Sequence, residues 1–166
     1  SPSATATTTP TSSPTNTPTV TPTPTIRFLQ TSDSPDGNWQ AVVEEGLFQG
    51  DEERLRLRIT HLTNQTEWMA EDLPAQDDDE NLVWPHPFHW STDGRYFYFT
   101  HIGIVDGCYP GGNGLDLYQI DLENGAVRVI VPRRVGYWFA ISPDDRSVAV
   151  ITQDEALIIH DLELEG

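Results

Sequence analysis

Basic residues are scarce in this chain. Nine Lys and Arg stand against 26 Asp and Glu, giving a formal charge of -17 at pH 7 and a pI of about 4.3. A nucleic-acid partner needs a basic patch to neutralise phosphates, so none is expected. An anionic membrane surface is disfavoured for the same reason. Such a charge favours solubility, a basic partner or cations. Cysteine is rarer still. The single Cys108 excludes an intramolecular disulfide and a Cys-based zinc site. No apolar run approaches the ~18 residues of a transmembrane helix, so this segment is not expected to insert into a membrane. The only methionine is Met69, so Ser1 is not a natural translation start and the chain is expected to be processed or cut from something longer. A processed chain would show no signal peptide, and none is present.

Catalytic signatures are also missing. There is no G-x-S-x-G elbow and no Walker A loop. The carboxylates are so numerous that some pair always resembles a glycosidase dyad, which removes the value of that inference. "DDDE" at 77–80 lacks EF-hand spacing. His86 and His89 do not have a recognised metal spacing. His61, His101 and His160 fall in or at the ends of expected strands and read as structural. The chain is therefore expected to be non-enzymatic and to hold no cofactor and no metal.

What is present divides in two. Residues 1–25, "SPSATATTTPTSSPTNTPTVTPTPT", are nearly all Thr, Pro and Ser, without charge. They have no apolar surface to offset ordering entropy and read as a disordered, semi-rigid linker or stalk. Thr/Ser/Pro-rich stalks often stand a domain off a surface. This one resembles the segments that follow a signal or lipid-anchor site in exported bacterial proteins. The location it suggests is extracellular, cell-surface or periplasmic, with a possible anchor upstream of Ser1. From Ile26 onward no helical period is seen. Short segments rich in Val, Ile, Phe, Tyr and Trp alternate with Gly, Pro, Asp and Asn, the pattern of a serial all-β fold.

Three copies of one phrase run through this body. "SPDG" spans Ser34, Pro35, Asp36 and Gly37. "STDG" runs from Ser91 through Asp93 to Gly94, and "SPDD" from Ser142 through Pro143 and Asp144 to Asp145. Each is a tight turn. An entry strand precedes each turn, and "NWQAVVE", "RYFYFTH" or "RSVAVIT" follows. In the middle copy Phe97 and Phe99 point one way, Tyr96 and Tyr98 the other, as in a strand buried on both faces. Further strands follow at "LRLRITHLTNQ", "LDLYQIDLENG" and "ALIIHDLELEG", and outer strands near "TEWMAED" and "AVRVIV". Each unit is a four-stranded antiparallel meander of about 45 to 55 residues, the period of a propeller-like array. The expected blades span about 26–73, 82–132 and 134–166, the last incomplete.

These units resemble the TolB-type propeller repeat, also called WD40-like or PD40. The second copy carries Leu117, Tyr118, Ile120, Asp121, Leu122 and Gly125 of its pattern. The third carries Ser142, Pro143, Asp144, Val148, Ala149, Val150, Asp161 and Leu162. The first departs, with Gln40 in an apolar slot, His61 in the Asp slot and Gln65 in the Gly slot, which suggests a capping-like blade. The resemblance implies a partial propeller, to be completed by further blades or by self-association, because propellers close with about 4 to 8 blades. It says little about function.

The long loops of such blades open on one face. That face would gather Asp51, Glu52, Glu53, Asp77, Asp78, Asp79, Glu80, Asp106, Asp154 and Glu155. The leading expectation is a binding or scaffold module presenting this acidic face to a protein or glycan. The alternative is the propeller domain of a larger, prolyl-oligopeptidase-like hydrolase with catalysis outside this chain.

Overall fold

The computed structural model describes residues 26–47, 53–74, 83–103, 114–132, 135–152 and 154–162. Within them the chain is all β. Strands β1 (Arg27–Asp33), β2 (Trp39–Leu47), β3 (Glu53–His61) and β4 (Glu67–Pro74) make blade I. Strands β5 (Val83–Trp90), β6 (Tyr96–Gly103), β7 (Leu117–Asp121) and β8 (Val127–Val131) make blade II. Strands β9 (Gly136–Ile141), β10 (Ser147–Thr152) and β11 (Leu157–Asp161) make blade III. Each sheet is an antiparallel meander in chain order. This is the blade architecture of a β-propeller. Among the described residues no helix is long and apolar enough to cross a membrane.

The turns explain why each meander starts where it does. Ser34 Oγ donates to Asp36 Oδ1 at 2.6 Å and accepts from the Trp39 amide at 2.9 Å. Ser91 does the same with Asp93 and Tyr96, and Ser142 with Asp144 and Ser147. The serine ties both ends of the turn, and the aspartate satisfies amides within it. These bonds to the carboxylate hold Asp36 and Asp144 below the ordinary range, with the serine hydroxyl the largest cause in each. Gly37 and Gly94 close their turns at φ +70° and +72°, where a side chain is disfavoured.

The hairpins before the outer strands follow one plan in two spellings. Asp121 Oδ1 accepts from the Glu123 amide, and Gly125 takes φ +75°. In blade I His61 Nδ1 accepts from the amides of Thr63 and Asn64 instead, and Gln65 adopts φ +61°. An imidazole nitrogen thus does the work of a carboxylate oxygen, and a glutamine accepts the glycine conformation.

Alternation along the strands builds two cores. Trp39, Ala41, Val43, Leu57 and Ile59 of blade I pack on Trp90, Phe97, Phe99 and Ile120 of blade II. Tyr98, Leu117 and Val131 of blade II pack on Phe139, Val148 and Val150 of blade III. Strand β6 feeds both, with Phe97 and Phe99 on one side and Tyr98 on the other. Burying each such side chain contributes about 1.5–3 kcal/mol. No blade could bury both faces without its neighbours.

Candidate functional site

Blades II and III diverge at the end that carries the serine–aspartate turns. The wedge between them is a cleft of about 540 Å³. Its floor is a hydrogen-bonded chain, buried at Tyr98 and Gln119 and half-buried at Arg128. Gln119 Nε2 donates to the Tyr98 hydroxyl at 2.7 Å, and Gln119 Oε1 accepts from Arg128 Nε at 2.5 Å. Arg128 Nη2 donates onward to the Leu162 carbonyl of blade III at 2.8 Å. Burial pushes the Tyr98 hydroxyl up, against the Gln119 bond that favours its ionised form. One wall is Tyr96, whose ring lies 5.0 Å from the Arg95 guanidinium carbon. Arg95 is itself held by Asp121 at 3.1 Å.

The other wall is the third turn. Asp145 occupies the slot that Gly37 and Gly94 fill elsewhere, at φ +57°. Its carboxylate accounts for that strained choice. Oδ2 accepts from the Thr92 amide and hydroxyl, both at 2.6 Å, and Oδ1 lies 2.7 Å from His89 Nε2. Burial raises the Asp145 pKa, but the Thr92 and His89 contacts outweigh it and leave the group lowered. A glycine could make none of these contacts, so the third turn exchanges backbone ease for a clasp between blades.

The blade I–II interface carries a second polar cluster at its opposite end. His101 on β6 is buried. Its Nδ1 lies 2.9 Å from both Asp116 oxygens, and its Nε2 faces Glu71 Oε2 at 3.4 Å, an ion-pair contact without hydrogen-bond alignment. Burial opposes the imidazolium, but the two carboxylates overcome it and raise its pKa to about 9. A covered imidazole that holds its proton at neutral pH is a poor general base there, and it joins Asp116 of its own blade to Glu71 of the preceding one. Gly114 lies beside it because a Cβ there would come within 2.6 Å of Thr100 Cβ.

Of the acidic loop positions, Asp51, Glu52, Asp77, Asp78, Asp79, Glu80 and Asp106 lie outside the described residues, as does Cys108. Glu53 opens β3 in blade I. Asp154 and Glu155 form the β10–β11 turn in blade III, where Asp154 accepts from the Thr152 hydroxyl and Glu155 takes φ +63°. Among the described residues no group of His, Cys, Asp or Glu could hold a metal ion. Sequence reasoning passed over the cleft because it looked to long loops. Two signals pointed to it: tyrosine rather than phenylalanine on one face of β6, and Asp145 in a glycine slot.

Comparison with protein families finds no match, and comparison with curated proteins finds none. Solved structures do match. The chain is similar to a periplasmic gluconolactonase of Pseudomonas aeruginosa at 19% identity and TM-score 0.41, over 83% of this chain and 36% of that one. It is similar to an oligogalacturonate lyase solved with manganese at 17% and 0.43, over 84% and 36%. A putative 6-phosphogluconolactonase of Bacteroides uniformis matches at 13% and 0.38, over 82% and 51%. The chain thus spans about a third to a half of the length of these structures. All three are named as enzymes. The expectation that this chain is not an enzyme is corrected on that finding and is given up. At these identities the likeness concerns the fold, and no substrate or reaction passes to this chain.

Proposed function

We propose that the chain is the ligand-recognising part of a TolB-type propeller and that it holds a small hydroxyl-rich ligand, of the sugar class, between blades II and III. The observation that carries this reading is the preassembled Tyr98–Gln119–Arg128 chain on the cleft floor. Hydroxyl-rich ligands are recognised by planar polar groups held in fixed directions beside an aromatic face, and Tyr96 supplies the face. Preorganisation matters because a weak polar ligand cannot also offset the ordering of its site. The three arginines and four aspartates of the cleft offer donors and acceptors without a dominant sign.

The three serine–aspartate turns support the TolB-type assignment, and the Thr/Pro/Ser-rich leader supports an exported bacterial location. Seven of the ten acidic loop positions lie outside the described residues. The cleft suits a substrate as well as a ligand held unchanged. In a larger hydrolase it would orient substrate for chemistry carried elsewhere.

Isothermal titration with neutral and acidic mono- and disaccharides tests the reading. Saturable binding is expected, weakened at least about tenfold by Gln119→Ala or Tyr96→Ala. Absence of binding across the panel would sink it. Proton NMR of the same mixtures over hours reads turnover directly.

A further inference from the structure

Asn124 and Gly125 lie in the turn between β7 and β8. An asparagine followed by glycine is a self-reactive step in any peptide chain, because glycine has no Cβ to shield its nitrogen. The Gly125 nitrogen can attack Asn124 Cγ and form a new C–N bond. The side-chain nitrogen then leaves as ammonia, carrying the proton the amide gives up. Water opens the resulting cyclic imide on one side or the other. One product is aspartate. The other is isoaspartate, in which the backbone runs through the side-chain carbon. Asn124 is exposed and Gly125 half-buried, so water reaches the step.

The fold restrains this reaction. The Gly125 N–H donates to the Asp121 carbonyl at 2.7 Å, which occupies the nucleophile. Asn124 Oδ1 accepts from the Ala126 amide at 2.8 Å. That bond polarises Cγ toward attack, so the restraint falls on the occupied nitrogen. Trp68 of blade I reinforces it. Its indole lies so close to Gly125 that a Cβ there would fall 2.5 Å from Cε3. The same indole donates its N–H to the Leu122 carbonyl at 3.0 Å. Freeing the Gly125 nitrogen from Asp121 shifts backbone that this ring covers.

We propose that Asn124 is a deamidation site latched by Trp68. It reacts when blade I separates from this end of blade II, and the covalent change records that separation. Isoaspartate adds one backbone carbon directly beside Gly125, where the indole leaves no room, so the modified hairpin does not refit under the ring.

Incubation of the whole chain at mildly alkaline pH, followed by peptide mapping with fragmentation, tests the proposal. Fragmentation separates Asn124 from Asn113, which also precedes a glycine and lies outside the described residues. In the native chain Asn124 should convert at least about tenfold more slowly than in the guanidinium-unfolded chain. Trp68→Ala should speed conversion in native buffer by about tenfold. Val148→Ala, which opens a cavity in the core between blades II and III, should leave the rate near that of the wild type. Should Trp68→Ala not fold, Trp68→Leu, which also removes the ring, decides in its place. Equal rates in the native and unfolded chains overturn the proposal, as does an unfolded chain that does not convert. A Trp68→Ala rate no faster than wild type removes the latch. Equal acceleration by Val148→Ala assigns the reaction to global unfolding and overturns it as well.

Discussion

Trp68 of blade I donates its indole N–H to the Leu122 carbonyl of blade II at 3.0 Å, and Arg128 of blade II makes the matching bond to Leu162 of blade III. The two donors are the second residues of equivalent outer strands, and the two acceptors directly follow Asp121 and Asp161. A tryptophan and an arginine thus perform one task at one repeat position. Each tie runs from a blade to the one after it.

Replacing Trp68 with Phe keeps a ring and removes the N–H. The Leu122 carbonyl, in a residue only 4% exposed, would lose that partner. The expected cost is about 1–2 kcal/mol, read as a fall in Tm of several degrees by calorimetry. An unchanged Tm would show that the tie adds nothing.

Gly125 is pressed by the same indole. A Cβ there would come within 2.5 Å of Trp68 Cε3, and φ is +75°. Gly125→Ala should cost more than about 2 kcal/mol, part steric and part backbone. In a Trp68→Ala background the steric part disappears and about 1 kcal/mol should remain. Equal penalties in both backgrounds would refute the contact.

His101 gives a pH dependence with a definite sign. Its folded pKa of about 9 lies above the ordinary 6.5. Its contribution is fully present below about pH 6.5 and is lost as pH rises through about 9. The loss is at most of the order of 3 kcal/mol. Urea midpoints between about pH 6 and pH 9.5 should fall, and His101→Gln should flatten the profile. A flat wild-type profile contradicts the buried imidazolium.

Asp145→Gly restores the commoner turn spelling and relieves φ strain of about 1 kcal/mol. It also deletes the bonds to Thr92 and His89. We expect a net loss of about 1–2 kcal/mol at neutral pH in chemical denaturation. The depressed Asp145 pKa makes the wild-type advantage present above about pH 3.8 and lost as pH falls through the folded value. A stabilised variant would mean that the strain outweighs the clasp.

The all-β fold was legible because each strand is short and rich in β-branched or aromatic residues, and because Phe97, Tyr98 and Phe99 alternate between two buried faces. The site was not legible. Gln119 and Arg128 are ordinary polar residues in sequence and meet only when β7 pairs with β8. His101 looked structural, and nothing nearby in the chain announced Glu71, which approaches from another blade. Clustered charge in the loops is conspicuous in a string of letters, whereas the cleft shows in sequence only as tyrosines on one face of β6 and Asp145 in a glycine slot, neither of which names its partners across the blades.

The serine clamps also bear on the order of folding. Ser34, Ser91 and Ser142 each bind an amide only five residues ahead, so each clamp can close before any contact between blades exists. Hairpins of this kind form within about 1–10 μs. Each clamp is therefore a local nucleus, so the chain can begin folding at three separate sites before any two blades meet.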